Sequence, residues 1–460
     1  MKNTFRFAIL TLLIGAVAGC QQPVEIVRSP ESKLFTNVHV IDVVNGRVLE
    51  DQMIAVDSGR ILAIGTDLPD AGSYAETIDA GGAYAVPGLT EMHAHIPSPP
   101  VSQQRIEETL FLYLSNGITT IRGMLGHPSH LQLKERLADG DLLSPRIITS
   151  SPSFNGNTAP TPEEAESKVR QYASEGYDFL KIHPGVPLEA FDALAATAHE
   201  VEIPFAGHVP VAVGIRHALE SGYATVDHVD GYLEGLVPEA AGVAADANGF
   251  FGFNFTPLAD TTRIAELVEL TRENRVWVVP TQSLFERWFA PIPADSLLAQ
   301  PEMQYMPKGT LDNWRQVKNQ SMADPAWDPA QWETFDRIRL ELIRRLAHEG
   351  QGVLLGSDAP QLFNVPGFSI HHEIAGMKRA GLTPAEILRA GTLDPARFFG
   401  LEEEIGSLEA GKAAEFFLVG GNPLEDLENL RNIQGLMLQR IWHPKAEIDS
   451  RLQAIAQNAQ

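Results

Sequence analysis

The chain has 460 residues, 44% apolar and 20% charged, which is enough to bury a large core and excludes a disordered polypeptide. Lys and Arg number 35 against 59 Asp and Glu, a formal charge of −24 that repels phosphate backbones and argues against a nucleic-acid partner. With one cysteine there is no internal disulfide framework.

Residues 1–19 read as an export signal. Lys2 and Arg6 form a positive start, and Phe7 to Gly19 is an apolar run of roughly half a bilayer span. It ends in Val17-Ala18-Gly19-Cys20, which resembles a bacterial lipobox. The resemblance implies a lipid on Cys20, which becomes the first mature residue. Gln21, rather than Asp, then implies an outer-membrane anchor facing the periplasm of a Gram-negative envelope. A plain cleaved signal with a chance cysteine is the alternative. Residues 20–33 form a polar tether.

From 34 to 86 the chain is short strand-like runs broken by turn signals such as Asn45-Gly46 and Ser58-Gly59. Residues 404–446 repeat that character. Neither piece closes a core alone, so both ends are expected to build one small β-sandwich.

Residues 87–403 alternate between strand and helix patterns. The strand candidates are Leu89–His95, Ile118–Arg122, Arg146–Ser150, Phe179–Ile182, Pro204–His208, Thr225–Val229, Val276–Thr281 and Val353–Asp358. Amphipathic stretches such as Leu188–Glu200 and Phe335–Gly350 lie between them. This order predicts an α/β (β/α)8 TIM barrel, with a doubly wound sheet giving similar local signals. Residues 284–331 interrupt the pattern with Trp, Pro and Met and are expected to form a lid.

Barrel active sites stand at the C-terminal ends of the strands, and five of the eight candidates end beside a potential metal ligand. His93 and His95 are two apart, so on a strand both face one side and can share a cation. Lys181 lies in an apolar strand, where an ammonium is costly. A neutral amine there can add CO2 and become an anionic carbamate able to bridge two metals. His208, His228 and Asp358 end the fifth, sixth and eighth strands. Each alone reads equally as an ordinary polar residue at a strand end, and Lys181 alone as a partner of Asp178. The order of HxH, Lys, His, His and Asp on successive ends is what points to a site. His199, His217 and His348 lie in helical patterns, and His39 and His443 in the sandwich segments.

Pro87-Gly88-Leu89-Thr90-Glu91-Met92-His93-Ala94-His95, Phe179-Leu180-Lys181-Ile182, Gly207-His208-Val209-Pro210, Val226-Asp227-His228, Gly356-Ser357-Asp358 and the stretch from Leu382 to Asp426 resemble the metal-dependent amidohydrolase superfamily over nearly the whole mature chain. Within it the likeness is to the imidazolonepropionase-related, Xaa-Pro dipeptidase-like branch. Glu91 stands where Asp is common, Gly123 where an Asp is frequent, and Glu415 where the usual pair is Ala-Asp. The resemblance implies two divalent ions, expected to be Zn2+. His93, His95 and Asp358 would hold the more buried one, and His208 and His228 the other. Carboxylated Lys181 and a hydroxide would bridge them. Asp358 would act as general base and acid.

Arg122 is a candidate for a substrate carboxylate, with a rim salt bridge as the plain alternative. His183 shares a strand face with Lys181, and Tyr232 follows His228 by four residues, so both are candidates for the substrate. His127 and His372 are weaker ones. The expected activity is hydrolysis of an amide or peptide bond in a small molecule of dipeptide or N-acyl amino-acid type. A one-metal deaminase or cyclic-amide hydrolase is the alternative, but no acid follows His208 and Lys181 would be idle. Esterase or lactonase chemistry stays open on the same metals. A non-catalytic ligand-binding lipoprotein fits poorly with six presumptive ligands in place.

Overall fold

The computed structural model describes residues 28–68 and 73–459. The signal segment, Cys20 and most of the tether lie outside the described residues.

Seven short parallel strands form the barrel, from Leu89–Ala94 and Ile118–Gly123 round to Thr225–Asp227 and Trp277–Val279, hydrogen-bonded in chain order. The eighth, expected at Val353–Asp358, is an extended segment that closes the ring by single parallel bridges, Val278 with Val353 and Ala94 with Ala359. Leu354 N donates to Val278 O, and Asp358 N to His93 O. The strands are buried throughout because helices cover their outer faces.

Helix starts follow local chemistry. Thr161 caps Pro162–Glu175 by accepting from Glu164 N, and Asp328 caps Pro329–His348 by accepting from Ala330 N. Residues 284–331, expected to be a lid, are three helical pieces after Gln282–Phe289, the longest being Lys308–Ala323. Trp288, Phe289, Met303 and Trp314 pack them onto the barrel core.

Both ends of the chain build a second, seven-stranded sheet, in which Glu76–Pro87 pairs with Lys33–Asp42 on one side and Phe416–Val419 on the other. The sheet curls until Arg60 bridges Ala413, enclosing a small core. Period-two alternation decides which residue goes where. Phe416 and Leu418 enter that core, while Phe417 and Val419 join the barrel's core. Glu415, at the start of this strand, meets Arg146 of the barrel at 3.2 Å, so the Ala-Glu departure lies at the junction of the two units. The C-terminal helix Lys445–Asn458, which the sequence reading left out, follows the last strand.

Candidate metal centre

All six expected ligands, His93, His95, Lys181, His208, His228 and Asp358, line one cavity of about 570 Å3 at the C-terminal ends of the strands. His93 and His95 leave the same face of the first strand, with ring centroids 5.4 Å apart. His228 lies 4.5 Å from His93 and 4.6 Å from His208, ring to ring. His93, His228 and Asp358 bring ligand atoms within 4.8 Å of one another. This compact trio cuts across the expected division, which put His228 with the other ion. Asp358 Oδ1 is 2.7 Å from His95 Nε2 and 3.5 Å from His93 Nε2.

The backbone is bent to make this possible. His228, Val229, Thr281 and Asp358 all have positive φ, and such strain is kept only where the surroundings over-determine it. Gly207 must be glycine. It has φ +128, and a Cβ there would sit 2.4 Å from Ile182 O and 3.1 Å from Lys181 Cδ. The missing methyl is the channel through which Lys181 reaches the cavity.

Three of the four histidines have a neighbour on the far side of the ring. His208 Nδ1 meets Asp230 Oδ2 at 3.1 Å, and His228 Nδ1 meets Thr281 Oγ1 at 2.8 Å. Asp227 Oδ2 lies 3.1 Å from His93 Nδ1, off the line of a hydrogen bond. Such outer partners fix ring orientation and leave the inner nitrogen for a metal. Arg339, on the helix Pro329–His348, donates to the carbonyls of His228 and Pro280 at 2.7 and 3.0 Å and so holds the bend behind His228. Burial, then the charge on Lys181, holds His93 and His208 well below the usual histidine range, and burial does the same for His228, so these rings are neutral.

Do these residues fit the metals that the site type calls for? Lys181 is fully buried and its Nζ has no partner. His93 Nε2 also has no partner, and an orphaned buried amine and imidazole are costly unless something occupies the space between them. Burial above all lowers the Lys181 amine to about 8. Neutral imidazoles, a carboxylate and an amine that can lose its proton make a nitrogen and oxygen donor set suited to Zn2+. The fit is good.

Glu91 explains itself in the structure. Its Oε1 accepts from the backbone N–H of His93 and of Ser357, and its Oε2 accepts from Ser357 Oγ. The carboxylate therefore ties the HxH strand to the strand that carries Asp358.

The substrate candidates separate. His183 lines the cavity, stacked 5.0 Å from His208, with Nδ1 on Ser153 Oγ at 2.6 Å. Arg122 does not face the cavity. It is buried in the barrel, donating to Met92 O, Thr225 Oγ1 and Asp227 Oδ1, because its strand position points inward below the ligands. It borders instead a separate cavity of about 700 Å3 beside Phe179 and Phe398, where no ligand cluster stands among the described residues. Tyr232 is also turned away, its hydroxyl on Thr271 Oγ1 at 2.7 Å within the helix layer. His127 caps the helix Pro128–Ala138, and His372 pairs with Glu302. Lys181 leaves Asp178 to Lys134, 2.7 Å away.

Sequence reading missed the cavity's aromatic wall. Phe250, Phe251 and Trp288 line it, with Phe251 at φ 49. The run Phe250-Phe251-Gly252-Phe253-Asn254-Phe255 was the available signal. It also missed Arg339, which lies on the apolar stripe of its helix with Phe335, Ile338 and Leu342.

The amidohydrolase family's sequence profile matches residues 84–439. The chain belongs to the amidohydrolase family. It is thus a hydrolase acting on carbon–nitrogen bonds. This amidohydrolase is 25% identical over 411 residues to an imidazolonepropionase of Pseudomonas paraeruginosa, covering 84% of this chain and 91% of the relative. Its fold matches bottromycin amidohydrolase with a TM-score of 0.71 at 22% identity, over 94% of this chain and 91% of that one. It matches a Xaa-Pro dipeptidase with bound methionine with a TM-score of 0.64 at 19% identity, over 90% and 100%.

Proposed function

We propose that the protein hydrolyses an amide bond in a small molecule with two divalent ions, held by His93, His95, His208, His228, Asp358 and carboxylated Lys181. The observation that carries this reading is the fully buried Lys181 Nζ, without a partner, in one cavity with four histidines and Asp358. A one-metal site has no use for that amine. When bound, such ions polarise a carbonyl and lower the pKa of water from 15.7 to about 7.

The chain's own groups then divide the work. Asp358, one of the trio and a lining residue of the cavity, takes a proton from water as the water oxygen adds to the carbonyl carbon. It returns that proton to the leaving nitrogen as the carbon–nitrogen bond breaks. His183 is held neutral by burial and oriented by Ser153, so one ring nitrogen is free to bind the substrate carbonyl.

Metal analysis of the purified protein tests the reading, with near two divalent ions per chain expected. Lys181→Ala is expected to abolish turnover and lower that content, and full activity in this variant would refute the bridging role. A reproducible content of one ion favours a deaminase-like or cyclic-amide hydrolase, for which the compact trio His93, His228 and Asp358 is the ready-made set. The adenine deaminase 2 of Desulfotalea psychrophila, 26% identical over 234 residues, gives that second reading a precedent, although the chain covers only 38% of it.

Lipidation at Cys20 and anchoring in the bacterial envelope remain part of the proposal. Among the described residues no helix is long and apolar enough to cross a membrane. Globomycin is expected to accumulate the uncleaved precursor, and normal processing would contradict lipidation.

A further inference from the structure

The cavity beside the six ligands has two unlike halves. One carries the histidines, Lys181 and Asp358. The other is aromatic and aliphatic. Phe250 lies 4.3 Å from Trp288 and 4.4 Å from Phe251, ring to ring. Phe251 in turn lies 5.6 Å from His208 and 5.4 Å from His228, so the wall begins against the ligands themselves. Leu125 and Val211, 44% and 41% exposed, carry this apolar half out to the surface.

The aromatic rings are braced from behind, and Asn248 and Gln361 are the uncharged polar side chains beside the histidines in this lining. Trp288 Nε1 donates outward to Ser321 Oγ at 2.8 Å, leaving the indole's carbon face to the cavity. Trp327 Nε1 donates to Phe289 O at 3.0 Å behind it. Asn254 N donates to Asn248 O at 2.9 Å, closing the loop that presents Phe250 and Phe251.

The cavity's charges are equally telling. Among the described residues its lining holds no arginine, and its one lysine is Lys181. Arg122 is spent on Asp227. A free substrate carboxylate would enter a chain of charge −24 and find no cation outside the metal cluster to replace its lost hydration.

We infer that the site takes an uncharged amide whose aromatic or bulky apolar group, adjoining the scissile bond, lies on Phe250, Phe251 and Trp288. This rests on the proposed hydrolase reading and narrows it, away from dipeptides and N-acyl amino acids. The helices of 284–331 supply part of a fixed specificity wall through Trp288.

A matched pair tests it: N-benzoylphenylalanine, which keeps a carboxylate, and N-phenethylbenzamide, the same molecule without it. With zinc-loaded protein, kcat/KM is expected to favour the uncharged twin by about tenfold or more. Trp288→Ala and Phe250→Ala are each expected to raise KM for that twin by about tenfold while leaving kcat within about threefold. Equal or better turnover of the acid overturns the inference and leaves the hydrolase reading intact. Calorimetric binding to Asp358→Asn, checked for fold by circular dichroism, separates the two ideas. If neither twin is hydrolysed yet the uncharged one binds preferentially and Trp288→Ala weakens it, the reaction fails and the specificity stands. If the two bind alike, or Trp288→Ala changes nothing, the specificity fails.

Discussion

Arg122 Nη2 donates to Asp227 Oδ1 at 3.0 Å, and the second oxygen of that carboxylate lies 3.1 Å from His93 Nδ1. The guanidinium therefore reaches the histidine cluster by way of Asp227, from inside the barrel. Thr225 Oγ1 also donates to Asp227 Oδ1, at 2.8 Å, so the carboxylate is held on two sides.

Removing the arginine leaves Asp227 buried and uncompensated. Arg122→Met is expected to cost about 3 to 5 kcal/mol of stability, read as a lower midpoint in denaturant. A carboxylate-binding role would instead raise KM and leave stability unchanged, so the two measurements together decide between them.

Asp230 is the corresponding partner of His208, and its Oδ2 also accepts from Val209 N at 3.1 Å. Asp230→Asn is expected to weaken one of two metal equivalents by about 10- to 100-fold, measured by competition with a chelating dye. Unchanged affinity for both ions would show that His208 needs no such support.

Metal removal is expected to destabilise the fold, because His93 Nε2, buried without a partner, would lose its cation and Lys181 would be left as a buried amine with no partner. At 100-fold saturation, binding to the native state alone contributes about 2.7 kcal/mol. Thermal melts before chelation, after chelation and after adding Zn2+ back check this. Identical midpoints in all three would sink it.

Glu373 gives a pH dependence away from the ligands. It is buried against the first turn of the helix Gln282–Phe289, accepting from Ser283 N at 2.8 Å, and burial outweighs that bond to raise its carboxyl to about 7. The folded state thus binds the proton more tightly than the unfolded one. Stability falls as pH rises from about 4.5 to about 7 and is flat beyond. Glu373→Gln is expected to remove this slope, seen as melting midpoints of variant and parent that converge at low pH and separate at neutral pH. Parallel curves would show that Glu373 is not the titrating group.

The spacing of ligands on strand ends was legible because a strand's period of two and a barrel's polarity are local rules. They placed His93, His95, Lys181, His208, His228 and Asp358 at one rim without any knowledge of loops. Arg122 and Tyr232 were misplaced for the same reason. Both are close in sequence to the rim, but which face a side chain takes depends on partners far along the chain, Asp227 for one and Thr271 for the other. Phe250, Phe251 and Trp288 come from two irregular segments that converge only in three dimensions, and no periodicity announces such a meeting. The Lys445–Asn458 helix does carry a short stripe, Ile448, Leu452 and Ile455, but it lies past the last strand pattern and belongs to no barrel repeat.

The pairing of Leu418 with Ala85 joins the first and last quarters of the polypeptide in one ladder. A chain synthesised from its N-terminus must therefore hold one side of Glu76–Pro87 unpaired until nearly its whole length has been made. Chaperones that shield bare β edges would then set the yield of this enzyme, and a stop codon anywhere before Phe416 would leave a product with an open edge prone to pair with its neighbours.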